Sequence, residues 1–306
     1  MLDIAVIIIS WNVRHYLADC VRSVNADLAR SDLTGAIWVV DNGSTDGTPE
    51  FIRDLFPTVN LIVNAENRGF GAANNQGMRA AAPFEPRYFL LLNPDTVVRP
   101  RAIDQLVRCL DNNPHVGMVG PRLVYRNDQF QHSAFEFPGL MQLLFEFVPL
   151  PGRLYETTLN GRYARSQYHT DSAPFPVGHP LGAAMLVRRD VAETTGGFDE
   201  AYHMYCEEID WCWRIHAAGW GILTVPSAEI VHYGGESTRQ APAQSVVNLW
   251  RSRALFYRHR YGPLKLALAR RVVYTGLAYK AWRASSAELK MAYRQAALVW
   301  RAGQSD

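Results

Sequence analysis

The chain has 306 residues, 48% hydrophobic and 11% aromatic, which describes an ordinary globular protein with room for one large α/β domain or two modest ones. Its net charge of +2 is uneven: twelve Lys/Arg against two acids from Arg251 onward give +10, leaving −8 on residues 1–250. No apolar stretch approaches the roughly 20 residues of a membrane span, no basic leader precedes the first strand, and four scattered cysteines without a Cys-x-x-Cys pair exclude a zinc site or disulfide framework.

Residues 4–10 form a continuous β-branched run and read as a buried strand. Trp11-Asn12 follow, then Leu17, Val21, Val24 and Leu28 recur on one helical face. A second strand over 37–40 runs into Asp41-Asn42-Gly43-Ser44-Thr45-Asp46-Gly47-Thr48, a stretch dense in turn formers with free backbone donors. Thr48 then caps a helix that begins at Pro49. A third strand over 59–63 leads into Asn67-Arg68-Gly69-Phe70-Gly71-Ala72-Ala73-Asn74. This segment has two glycines of a dinucleotide fingerprint but lacks the third, and it follows the third strand instead of the first. A nicotinamide cofactor is therefore rejected, while a loop that brings Arg68 and backbone to a phosphate or sugar stays open.

The apolar run 88–92 reads as a strand buried on both faces, stopped at Pro94, which cannot donate to a ladder. Asp95 is thus presented at the carboxyl end of a central strand, where open α/β sheets bind ligands. A carboxylate there suits a divalent cation holding a phosphate ester; a plain Asn-Pro-Asp turn is the other reading. A helix over about 100–112 and a strand over 116–125 complete the alternation expected of a parallel, doubly wound sheet. Residues 126–179 lose all periodicity yet are rich in aromatics, and read as a lid or acceptor-shaping insertion.

A strand-like run over 181–187 carries small residues, Gly182 and Ala183 among them, where a ligand can approach backbone. Glu207, Glu208 and Asp210 then enter a helix between Tyr205 and Trp211. Acids fit a first helical turn as capping charges, but three in four residues also raise a pKa by repulsion and desolvation, and the catalytic reading is favoured. Closing strands over 222–225 and 230–231 end at His232, which is either a surface histidine or the start of a glycine-rich phosphate-side loop through Thr238. Beyond it the chain is helical and basic. Leu264, Leu268, Val272, Thr275, Tyr279 and Trp282 fall on one stripe flanked by Lys265, Arg270, Arg271, Lys280 and Arg283. Such a helix lies in a membrane interface, or else packs on the domain or on a dimer partner.

Taken together, these motifs resemble the family-2 inverting glycosyltransferases of the GT-A fold, over roughly residues 4–262. The carrying residues run from Val6 to Asn12, from Val39 to Thr48, from Asn67 to Asn74, and include Asn93-Pro94-Asp95 and Glu207-Glu208-Ile209-Asp210; His232 with Ser237, and Arg251 to Gly262, extend the match. Within the family the chain looks most like the rhamnosyltransferase branch that builds bacterial surface polysaccharide. The resemblance implies an α/β, Rossmann-like, mostly parallel sheet flanked by helices. It implies a nucleotide-sugar-binding half over 1–125, an acceptor and catalytic half over 126–262, and a basic helical tail over 263–306. Ser10, Asn12, Asp41, Asn42 and Ser44 would line the nucleotide, with Arg68, Gly69, Asn74 and Asn93 near the donor. Asp95 and His232 would hold Mg²⁺ or Mn²⁺, Glu208 would be the general base with Glu207 the alternative and Asp210 beside them, and Gly182, Ala183 and Trp211 would face the acceptor.

Two motifs depart from the family. Its Asp-x-Asp is Asn-Pro-Asp here, and its Glu-Asp pair is Glu207-Glu208. The Gln-x-x-Arg-Trp motif of processive members is absent, which implies transfer of a single sugar. The partners expected are a nucleotide-diphospho-sugar donor (dTDP-rhamnose-like or a UDP-sugar), a saccharide or lipid-linked acceptor, an anionic membrane surface and a second copy of the chain, with nucleic acid excluded. The location implied is cytoplasmic, peripheral to the inner face of the plasma membrane. The rival classes are a nucleotidyltransferase that makes a nucleotide sugar and a non-catalytic nucleotide- or glycan-binding module.

Overall fold

The computed structural model of the chain describes residues 2–234 and 241–301. Its first strand, β1 (Ile4–Ser10), is buried along its whole length and its side chains alternate between two cores. Val6 and Ile8 face one side of the sheet, Ala5, Ile7 and Ile9 the other, as a strand covered on both faces requires. Helix α1 (Arg14–Leu28) follows, then β2 (Gly35–Asp41), α2 (Thr48–Leu55), β3 (Asn60–Val63), α3 (Phe70–Ala81) and β4 (Tyr88–Leu92). The cap of α2 comes from Asp46, not Thr48: its Oδ1 accepts from the Thr48 N–H at 3.1 Å.

β1 pairs in parallel with β2 and with β4, in a register that sets Ser10 opposite Asp41 and Ile8 opposite Leu92. The three strands therefore end at one edge. All five residues of β4 are buried, each such side chain contributing about 1.5–3 kcal/mol, so Asp95 rises from one of the most firmly held strands of the sheet.

After β4 come β5 (Thr96–Val98), α4 (Ala102–Asn112) and β6 (Val116–Val124). The irregular segment contains the short strands β7 (Phe130–Gln131) and β8 (Ala134–Phe135), helices α5 (Leu140–Phe145) and α6 (Gly152–Tyr155), and strands β9 (Phe175–Pro176) and β10 (His179–Pro180). Then follow β11 (Ala184–Arg188), α7 (Arg189–Thr195), α8 (Glu207–Ala217), β12 (Gly221–His232), α9 (Pro242–Arg260), α10 (Pro263–Arg283) and α11 (Ala287–Val299).

The sheet order is β3-β2-β1-β4-β11-β6-β12-β5. The alternation along the chain suggests that β6 lies parallel beside β4, but β11 is inserted antiparallel between them. The two expected closing strands are one strand, β12, with a bulge between Val225 and Glu229 that takes Pro226 out of the ladder. β12 runs antiparallel to β5 with His232 opposite Thr96, and so reaches the same edge as Asp95. Helices α1 and α4 cover one face of the sheet, α3 and α8 the other. A third core joins Leu143 of α5 to Trp250, Phe256 and Tyr257 of α9, Val273 and Leu277 of α10, and Ala296 and Ala297 of α11. All four cysteines are buried free thiols.

Candidate active site

The strand ends enclose a cleft of about 260 Å³. Its walls carry Ser10 and Trp11 after β1, Asn42 after β2, Asn93, Pro94 and Asp95 after β4, Leu181, Gly182 and Ala183 before β11, Glu207 and Glu208 on α8, and His232 at the end of β12. Nine of the residues singled out in the sequence thus meet on one surface, although His232 lies 137 positions from Asp95.

The glycine- and asparagine-rich loops are knitted by Asn42. Its amide donates to Asn67 Oδ1 (2.9 Å) and to the Gly69 carbonyl (3.2 Å), and its Oδ1 accepts from the Arg68 N–H (3.1 Å). Asn12 and Ser44 tie the β1 and β2 loops together: the Asn12 N–H donates to Ser44 Oγ at 2.9 Å, and Asn12 Oδ1 accepts from the Thr45 N–H at 2.8 Å. Gly69 adopts φ +87°, and a Cβ there would stand 2.5 Å from the His203 carbonyl, so only glycine fits. Asp41 Oδ1 accepts from the Ser44 N–H at 2.9 Å. Asn12, Ser44 and Gly69 therefore shape the loops around the cleft, and Asn74 is held within α3 with its amide donating to the Phe70 carbonyl at 3.0 Å. The Arg68 side chain is exposed outside it. Ser10 Oγ and Asp41 Oδ2 are buried without a hydrogen-bond partner, polar atoms left for something the strand ends would receive.

Across the cleft, Asp95 Oδ1 and His232 Nε2 stand 3.5 Å apart. Asp95 is fixed by the Gly234 N–H, which donates to its Oδ2 at 3.1 Å, and by backbone pairing with Tyr233. His232 Nδ1 faces Gln131 Oε1 at 3.2 Å. Burial lowers the His232 pKa, against the opposing pull of Asp95, and so favours the neutral ring. With Nδ1–H donated to Gln131, the Nε2 lone pair faces a carboxylate oxygen, an arrangement that suits a shared cation. Among the described residues no three His, Cys, Asp or Glu side chains converge on a metal position. An ion here would take its remaining ligands from phosphate oxygens and water, the usual habit of Mg²⁺. Ser237 and the rest of the glycine-rich loop through Thr238 lie outside the described residues.

The acids of α8 separate into different roles. Tyr205 (φ 71°) and Cys206 (φ 66°) are two consecutive left-handed residues just ahead of the helix, a costly backbone that turns Glu207 and Glu208 into the cleft. Glu207 is buried with Oε2 unpartnered, and burial together with the Glu208 charge raises its pKa well above the usual carboxylate range. Glu208 is only partly covered, and desolvation raises it to about 7. Gly182 lies against it: a Cβ at that glycine would be in ordinary contact with Glu208, 3.4 Å from its Cγ.

Two expectations are corrected here. Asp210 points away, fully buried, accepting from Arg260 Nε (2.8 Å), Arg214 Nε (3.0 Å) and Tyr202 Oη (3.2 Å); it fastens α9 to α8 and is not available to a substrate. Trp211 is fully buried, packed on Phe198 with its indole N–H on Thr195 Oγ1 at 2.8 Å, and so cannot face an acceptor. The sequence reading missed Trp11, Asn67 and Tyr205 as cleft residues, although each sits within or beside a motif it had picked out.

A second cavity of about 400 Å³ opens beyond α8, under the irregular segment. It begins at Ile209, next in the chain to the cleft's Glu208, and at His179, two positions before the cleft's Leu181, and is lined further by Tyr155, Asn160, Arg162 and Arg253. Arg162 Nε and Arg253 Nη1 are buried without partners.

A family model described as "Glycosyl transferase family 2" matches residues 5–195. The chain belongs to that family. It is 32% identical over 236 residues, 74% of its length and 75% of the relative's, to an N-acetylglucosaminyl-diphospho-decaprenol L-rhamnosyltransferase of Mycobacterium tuberculosis. It is 25% identical over 178 residues, 56% of its length and 63% of the relative's, to rhamnosyltransferase WbbL of Escherichia coli (strain K12). Among solved structures it is similar to GalNAc-T7 with UDP, GalNAc and Mn²⁺, at a TM-score of 0.61 and 15% identity over 97% of this chain. The match spans about half, 54%, of that longer chain, and carries the GT-A fold alone. The protein is a family-2 glycosyltransferase, similar to relatives named as rhamnosyltransferases.

Proposed function

We propose that the protein transfers a single sugar, with inversion, from a nucleotide-diphospho-sugar to a lipid-linked saccharide acceptor in cell-surface polysaccharide synthesis. The observation that carries this reading is the meeting of Glu208 with the Asp95–His232 pair across one cleft. Relatives named for rhamnose transfer, one of them onto an N-acetylglucosaminyl-diphospho-decaprenol, support a deoxyhexose donor and an acceptor carried on a lipid diphosphate.

In this mechanism Ser10, Asn42 and Asn93 hold the nucleotide end of the donor at the strand edge, with the Asn12–Ser44 and Asn67–Gly69 loops keeping them in place. Asp95 and His232 would hold Mg²⁺ or Mn²⁺, which when bound neutralises charge building on the diphosphate leaving group; a neighbour solved with Mn²⁺ supports that class of ion. Glu208 accepts the proton of an acceptor hydroxyl as its oxygen forms a bond to the anomeric carbon and the bond to the diphosphate breaks. Attack opposite the leaving group inverts the anomeric centre. Gly182 and Ala183 let the acceptor approach Glu208, and the second cavity with Arg162 and Arg253 receives the part of the acceptor beyond the reacting sugar. The acceptor is met at an anionic membrane surface, on the side of the C-terminal helices.

The test is nucleoside diphosphate release from a panel of nucleotide sugars with an N-acetylglucosaminyl-diphosphoryl lipid, with Mg²⁺ or Mn²⁺ and then with EDTA. One donor is expected to be consumed in a metal-dependent way, and Asp95→Ala to abolish that consumption. Pyrophosphate release from a nucleoside triphosphate and a sugar phosphate would instead establish a nucleotidyltransferase.

A further inference from the structure

Helix α10 (Pro263–Arg283) is held by one face only. Ala269, Val273, Gly276, Leu277 and Ala281 are buried, and the contact is tight enough that a Cβ on Gly276 would stand 2.3 Å from the Phe147 ring. The helix's opposite face is the apolar stripe legible in the sequence, and the protein leaves it uncovered: Leu264 is 76% exposed, Leu268 43%, Tyr279 50% and Trp282 75%. At 3.6 residues per turn these four fall within an arc of about 60°. Arg271 lies along one edge of that arc and Arg283 along the other, both exposed.

We infer that this outward face of α10 docks the enzyme on an anionic lipid bilayer. Leu264, Leu268 and Trp282 enter the headgroup–acyl boundary, Tyr279 sits at headgroup level, and Arg271 and Arg283 meet lipid phosphates. No helix among the described residues is long and apolar enough to cross a membrane, so the contact is a surface one. Charge decides between a bilayer and a second copy of the chain. Residues 237–287 contain ten Lys/Arg and no Asp or Glu. A symmetric pair through this face would bring two basic flanks together with no acid on either to neutralise them, whereas an anionic surface attracts each residue of the same flank. The inference rests on the lipid-linked acceptor only for why a bilayer would be at hand; the surface is defined by the helix itself.

The experiment is co-sedimentation of the full chain with vesicles of phosphatidylglycerol and phosphatidylcholine in equal parts, and of phosphatidylcholine alone, at low and high salt. Binding is expected to the anionic vesicles, weaker at high salt and weaker still on the neutral ones. The doubly exposed Leu264→Ser/Trp282→Ser variant and the Arg271→Glu/Arg283→Glu variant should each bind the anionic vesicles at least roughly tenfold less. Nucleoside diphosphate release from a soluble donor should be unchanged in both, a readout that reports the transfer reading separately. Wild-type protein left in the supernatant, or binding that survives both variants, overturns the inference. So does a wild-type dimer that Leu264→Ser/Trp282→Ser converts to a monomer, which would make the face a self-interface, or retention on DNA with none on vesicles.

Discussion

Glu207 and Glu208 are adjacent in the chain and differ in what surrounds them. Glu207 is sealed at the base of the cleft, while Glu208 sits at its wall with its carboxyl raised by desolvation to about 7. A group with that pKa is a base matched to neutral solution, since it holds a proton firmly enough to take one and is still ionised often enough to act. Only the ionised form can accept the acceptor's proton, so kcat/KM for transfer should rise as pH climbs through about 7 and level off above it. A rate profile over that range checks this. Asp210 shows the opposite balance. Burial would raise it, but Arg260 and Arg214 together outweigh burial and hold it below the usual carboxylate value. Its contribution to stability is therefore present above the unfolded pKa and is lost as pH falls through the folded one. From the sequence the two acids looked alike. What separates them is Arg260, 50 positions away, which no local pattern can assign.

At the scale of elements, helix ends are where side chains from elsewhere matter most. The first turn of α4 is capped from α1: the Asp27 carboxylate accepts from the Arg101 N–H and, at 3.0 Å, from the Ile103 N–H. Asp27→Ala should cost about 1–2 kcal/mol of stability, read as a lower urea midpoint with an unchanged slope, and activity at low denaturant should be retained. The strands and helices of the first half were legible because burial on both faces writes long β-branched runs and one-sided burial writes helical stripes. The tail was half legible. Its spacing revealed the apolar stripe of α10, but the face that packs is the one of small residues, Ala269, Gly276 and Ala281, where Phe147 and the neighbouring helices come close. Periodicity shows that faces differ and does not say which is covered. The irregular segment over 126–179 stayed unread because its order comes from aromatic packing, as of Phe137 on Trp213 and Tyr168 on Phe175, and not from any period.

Across the whole molecule, the sheet is what makes a site of scattered residues. β1, β2 and β4 run parallel and end together; β11 enters from the opposite direction, so that its beginning, with Gly182 and Ala183, meets their ends; β12 brings His232 to Asp95 through β5. The parallel part follows from the alternation of strands and helices. The insertion of β11 does not, because pairing Ala184 with Leu92 closes a loop of more than 90 residues that leaves no local trace. The proposed mechanism turns on Glu208 as the base that takes the acceptor's proton. Its direct test is Glu208→Gln, measuring kcat for sugar transfer beside the Kd for the donor. Transfer should fall by about 10²–10⁴-fold with donor affinity kept, and the rise in rate through neutral pH should vanish. Turnover at the wild-type rate, with the pH dependence intact, would contradict the assignment of the base and with it the mechanism drawn from this cleft.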